Sequence, residues 1–141
     1  MSYLGDARAA IILKAAGIAG VTYTYARQPE TLSGSPAIVL GEVTWTTIPG
    51  DRERTTYSFG LTAFIERMGD DDPTIAAMDD LIDLVQAAYA AGITLGQTAL
   101  TTQCVIRGGS ANEWVAIGET LYLTARFEIE LSSTRQRGYS A

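Results

Sequence analysis

Residues Asp72–Gly92, DPTIAAMDDLIDLVQAAYAAG, decide what the rest of the chain must do. Asp72 is placed to cap a helix start, Pro73 suits its first turn, and Gly92 suits the residue just past its end. Ile75, Met78, Ile82, Val85 and Tyr89 recur at steps of three and four, and Leu81 and Leu84 widen the stripe. Asp79, Asp80 and Asp83 fall on the opposite side, toward water. Each large apolar side chain on that stripe gains about 1.5–3 kcal/mol when covered. A helix with so wide an apolar face needs a sheet to lie on.

The flanking sequence supplies one. Residues 3–16, YLGDARAAIILKAA, read as a first helix ended by Gly17, with Leu4, Ala7, Ile11 and Ala15 on one face and Ile12 beside it. Val21, Tyr23 and Tyr25 alternate in a short strand, and QPETLSGS (28–35) is a loop. A second strand is expected from Ala37 to about Thr46, with Ala37, Val39, Val43 and Trp45 on one side. Pro49-Gly50-Asp51 then marks a turn, and RTTYSFGLTAFIER puts Tyr57, Phe59, Leu61, Ala63 and Ile65 on one face. The hairpin tip, Thr46 to Arg54, looks longer than a tight turn requires.

Beyond the central helix, Leu100–Arg107 reads as a fourth strand turned by Gly108-Gly109-Ser110. The last strand has the cleanest alternation: Leu121, Leu123, Ala125, Phe127, Ile129 and Leu131 against Tyr122, Thr124, Arg126, Glu128 and Glu130. Gly118 marks a bend or bulge before it. Ser132–Ala141, SSTRQRGYSA, is unpatterned and reads as a mobile tail. The expectation is a single α+β domain over 1–131 with a tail over 132–141. Its antiparallel sheet has four or five strands with two helices packed on one face, in the order α-β-β-β-α-β-β.

Composition narrows the chemistry. The chain has 141 residues, no His and one Cys, so Ser–His and Cys–His catalysis and imidazole metal sites are unavailable and no internal disulfide can form. Cys104, in an apolar strand, reads as a buried inert thiol. No apolar run reaches the length of a membrane span, no secretion signal opens the chain, and cytoplasmic folding is expected. The net charge of −6 sits in one place, where Glu66, Asp70, Asp71, Asp72, Asp79, Asp80 and Asp83 face only Arg67. That sign argues against a broad nucleic-acid footprint. Asp70–Asp72 lack the ligand spacing of a calcium loop and read as acids favouring a helix N-terminus. GIAG (17–20) and GGS (108–110) lack the phosphate-loop pattern. No catalytic, cofactor-binding or metal-ligating residue is identified. The groups most available to a partner are Arg52, Glu53 and Arg54 at the hairpin tip, Arg126 on the last strand, and Arg135 and Arg137 in the tail.

Several pieces together resemble the tail terminator, or tail completion, proteins of long-tailed bacteriophages. They are the helix containing Ala9–Leu13, the short strand and loop leading to Ser35-Pro36-Ala37-Ile38-Val39-Leu40, and the strand Tyr57–Ile65. The acidic Asp70–Asp72 start of the helix with Asp80-Leu81, and the strand Gly118–Leu131, complete the set. The resemblance implies a non-enzymatic virion protein without cofactors, assembling with itself as a ring, a hexamer in that family. Such a ring sits at the head-proximal end of the tail after assembly in the host cytoplasm. Its partners would be the tail-tube protein and head connector proteins, with DNA passing through unbound and no membrane involved. Two alternatives stand beside it. One is a head–tail connector or stopper component of the same virion. The other is a small ligand-binding or enzymatic α+β domain with a pocket lined by Tyr57, Trp114 and Tyr122.

Overall fold

The apolar stripe of the central helix finds its sheet. A computed structural model describes residues 3–50, 52–95, 100–102 and 104–136. In chain order the elements are α1 (Tyr3–Ala16), β1 (Tyr23–Tyr25), β2 (Ala37–Ile48), β3 (Arg52–Glu66), α2 (Asp71–Ala90), β4 (Ile93–Leu95), β5 (Leu100–Thr102), β6 (Val105–Ile117) and β7 (Thr120–Gln136). Five strands form one sheet in the order β1-β2-β3-β7-β6, and β4 and β5 form a separate small hairpin. Both helices cover one face of the larger sheet. Ala7, Ile11 and Ala15 of α1 and Met78, Leu81, Val85 and Tyr89 of α2 share a core with the inward residues of β2, β3 and β7. The α+β architecture is the expected one. Its sheet is antiparallel except at β1, which runs parallel to β2 over Ala37–Val39 because the 28–35 loop carries the chain back across the sheet.

The opposite face of the sheet is covered at one end. Ala37, Val39, Phe64 and Tyr122 form a second cluster there, with Tyr25, Leu32 and Ile117 packed on it. Phe64 and Tyr122 meet edge-on at 6.1 Å between ring centroids. Ser35 and Tyr25 hold the covering loop down: the Glu66 N–H donates to Ser35 Oγ at 3.1 Å, and the Ser33 N–H to Tyr25 Oη at 2.8 Å.

Local irregularities correct the sequence expectations. The start of α2 is Asp71, so Asp70 occupies the capping position in place of Asp72, and its side chain makes no capping bond. Thr74 instead ties the first turn of the helix to the chain that leads into it. Its hydroxyl accepts from the Met68 N–H at 2.9 Å and donates to the Asp70 carbonyl at 3.1 Å, which explains a wholly buried threonine. Leu84, expected on the apolar stripe, is 42% exposed, because Met78, Leu81, Val85 and Tyr89 already fill the seam.

In β2 a bulge between Leu40 and Val43 inserts one extra residue. Alternation therefore inverts there, and Val43 faces the helices with Ile38 and Leu40, not with Ala37 and Val39. Pairing of β2 with β3 continues to Ile48↔Arg54, so the hairpin tip is shorter than the sequence suggested.

The fourth strand of the sequence reading is in fact two. Leu100–Thr102 pairs with β4, and Val105–Ile117 joins the main sheet. Gly108-Gly109-Ser110 is no turn but lies inside β6 beside a register shift, where a Cβ on Gly109 would run into the Arg126 backbone. The turn is Gly118-Glu119, joining Ile117 to its partner Thr120, with Gly118 at φ +63°. Strand β7 extends to Gln136, so residues 132–136, assigned to the tail from sequence, pair with Arg52–Thr56 of β3. Residues 137–141 lie outside the described ones.

Candidate interaction surface

Three strands outrun the helices and the rest of the sheet. Strand β1 covers β2 only over Ala37–Val39, and β6 begins opposite Glu130 of β7. Among the described residues, then, Val43–Ile48 of β2 and Leu131–Gln136 of β7 have no strand partner on their outer sides. Between them lies the first half of β3, paired to both. The result is a three-stranded arm. Its root is held by α1: Tyr3 stacks on Tyr57 at 5.3 Å between ring centroids, and its hydroxyl donates to the Ser132 carbonyl at 3.4 Å. Burial and the neighbouring Tyr57 push the Tyr3 phenol above its ordinary pKa.

The arm collects most of the charged candidates. Arg52 and Glu53 open β3 at its tip, opposite Gln136 and Arg135, and Arg54 pairs with Ile48 and Thr134 and is exposed. Arg135 stands directly across from Glu53. Arg137 lies outside the described residues. Arg126 is elsewhere: it sits nine residues up β7, about 30 Å along the strand from Arg135, exposed on the sheet face away from the helices. There it borders a groove of about 430 Å³ with Glu42, Thr44, Ser58 and Glu128, floored by the bare backbone of Gly60 and Gly109.

Charge alone missed what is most distinctive about the arm. Trp45 is 64% exposed and Ile48 58%, on a segment, VTWTTI, that carries no charge. That run of β-branched and aromatic residues without Lys, Glu or Pro was the available signal.

The acids of the charged segment lie along α2 and at its start. Asp72, Asp79, Asp80 and Asp83 are exposed along α2, and Asp71 is held by Arg67 at 3.0 Å. An exposed pair of this kind contributes about 0–1 kcal/mol. On the sheet, Arg107 bonds Glu130 at 3.1 Å, and that hydrogen bond raises the guanidinium pKa further. Among the described residues, no group of three or more Cys, Asp or Glu is arranged to hold a metal ion.

The aromatic pocket considered from sequence is not assembled. Tyr57 and Trp114 pack toward the helices, whereas Tyr122 belongs to the cluster on the other face. A groove of about 610 Å³ does run between α2 and β6, bordered by Ile82, Gln86, Ala90, Cys104, Ile106 and Phe127. Its thiol is poorly suited to chemistry. Cys104 is buried, donates to the Tyr89 carbonyl at 3.2 Å, and has its pKa raised by burial, so the reactive thiolate is scarce near neutral pH. No described helix is long and apolar enough to cross a membrane.

No protein-family model matches the chain, and no curated protein matches it. Among solved structures it is similar in fold to a chain of the "Virion of native gene transfer agent (GTA) particle". The TM-score is 0.59 at 14% sequence identity, over 94% of this chain and 98% of that one. At that identity the likeness is one of fold, and it runs over nearly the whole of both chains.

Proposed function

We propose that this chain is a structural protein of a phage-like virion and, more narrowly, the subunit of a ring that ends the tail tube and joins it to the head connector. The observation that carries the reading is the fold shared, over nearly the whole of both chains, with a chain of a gene transfer agent virion. An arm with unpaired strand edges and exposed Trp45 and Ile48 agrees with it, since such surface is normally covered by another subunit. In this reading the chain performs no reaction and holds no cofactor. Arg52, Glu53, Arg54 and Arg135 at the arm tip contact neighbouring subunits or the tail-tube protein, and Arg126 contacts a partner laid on the sheet face. Virion DNA passes without specific binding.

Light scattering behind size-exclusion chromatography, with and without tail-tube protein, tests the reading. A closed oligomer of fixed mass is expected. A chain that stays monomeric at every concentration, even with the tube protein present, would count decisively against it. Cryo-electron microscopy of assembled particles then distinguishes a terminator, which touches the last ring of the tube, from a connector or stopper component, which does not.

A further inference from the structure

The sheet treats its edges unequally. At one border β1 is only three residues long. At the other, β6 is interrupted by two register shifts, by the Gly108-Gly109 pair and by Asn112 at φ +63°. Short, bulged edges of this kind resist pairing with other chains. The two borders of the arm carry no such protection. Val43–Ile48 of β2 has no Pro, Gly or charged residue, and Leu131–Gln136 of β7 has a single charge, Arg135. Both stretches are regular, and both are six residues long. Since β3 is antiparallel to each, β2 and β7 run in the same direction.

We propose that copies of this chain join head to tail through the arm, the β2 edge (Val43–Ile48) of one copy pairing in parallel with the β7 edge (Leu131–Gln136) of the next. This deepens the assembly reading above and rests on it. The occupant is a second copy because the two edges match each other in length and direction, so one contact, repeated, satisfies both. A foreign strand would satisfy one edge and leave the other open. Two-fold pairing of β2 with β2 would leave every β7 edge bare. A repeated heterologous contact closes into a ring when its rotation permits, and strand twist supplies a rotation at each junction. Trp45 stands at the free β2 edge, in line across the arm with Tyr57 and Leu131. Its exposed ring is thus placed to be covered by the β7 edge of the neighbour.

The test is covalent. Thr46→Cys is combined in turn with Ser132→Cys, Ser133→Cys and Thr134→Cys in the full chain. Thr46 and Ser132 flank Thr56 from opposite sides, two strand spacings or about 9.5 Å apart, beyond the reach of a disulfide within one copy. At least one double variant should form a ladder of covalent multimers on mild oxidation, while each single variant and the unaltered chain, with its buried Cys104, stay uncrosslinked. Dimers from Thr46→Cys alone would show two-fold pairing and overturn the proposal. Multimers by light scattering with no ladder in any double variant would place the contact elsewhere and leave the assembly reading standing; absence of both would sink the two together. As a check independent of cysteine geometry, Trp45→Lys should weaken association roughly tenfold or more with an unchanged thermal midpoint. Unchanged association would count against the edge contact.

Discussion

Tyr89 ties the two helices to each other through a single hydroxyl. Its ring is wholly buried, its phenol donates to the Ile11 carbonyl of α1 at 2.7 Å, and its own carbonyl accepts from Cys104. Burial, with a smaller contribution from Cys104, pushes the phenol far above its ordinary value of 10.0. Below that value the folded and unfolded chains both keep the proton. Above it the unfolded chain releases the proton while the folded one does not, so stability falls as pH rises, by up to about 1.4 kcal/mol per pH unit. Urea midpoints measured from pH 8 to 11 should therefore decline steeply above pH 10. In Tyr89→Phe the decline should be shallower, and at pH 7 the variant should be less stable by about 1 kcal/mol, the net value of one hydrogen bond. An identical alkaline slope in both proteins would show that this phenol is not the group responsible.

At the scale of elements, α2 and the β6–β7 turn make the sharpest claims. Leu81 is buried against the sheet and Leu84, one turn along, is substantially exposed. Leu81→Ala should lower stability by about 2–5 kcal/mol through the cavity it leaves, whereas Leu84→Ala should cost less than about 1 kcal/mol. Thermal or urea denaturation of the pair reads the orientation of the helix, and equal losses would mean the helix is rotated. Gly118 occupies the left-handed region, so Gly118→Val should destabilise the hairpin by about 1–3 kcal/mol although nothing lies within 4 Å of its added Cβ. A variant as stable as the parent would mean that the turn has another conformation.

For the whole molecule, the arm is separable from the core in energetic terms. The main core ends at Leu131 on β7, and the described residues beyond it, 132–136, pair with the first five of β3. Removing residues 132–141 should leave the α+β core folded, with a small loss of thermal stability, while abolishing self-association. Hydrogen exchange gives the detail: amides of Arg52–Thr56 should lose protection, and those of Phe59–Ile65, flanked by β2 and β7, should keep it. Loss of protection throughout β3 would show that the arm is integral to the core.

What the chain declares locally was legible. The 3.6-residue stripe of Ile75, Met78, Val85 and Tyr89 and the period of two in Leu123–Leu131 depend only on which side chains follow one another, and burial simply selects that face. Helix α1 and the faces of β3 follow for the same reason. Tertiary structure decided what depends on a partner strand: the bulge that inverts Val43, the absorption of Gly108-Gly109 into β6, the extension of β7 through Gln136 and the parallel β1. The candidate site divides along the same line. Charge brought Arg52, Glu53, Arg54 and Arg135 to attention, but only strand order shows that they share one arm, and that among the described residues the outer edges of that arm are left unpaired. A sequence records the donors and acceptors of every strand; which of them go unmatched is a property of the neighbours, and those are chosen only when the sheet forms.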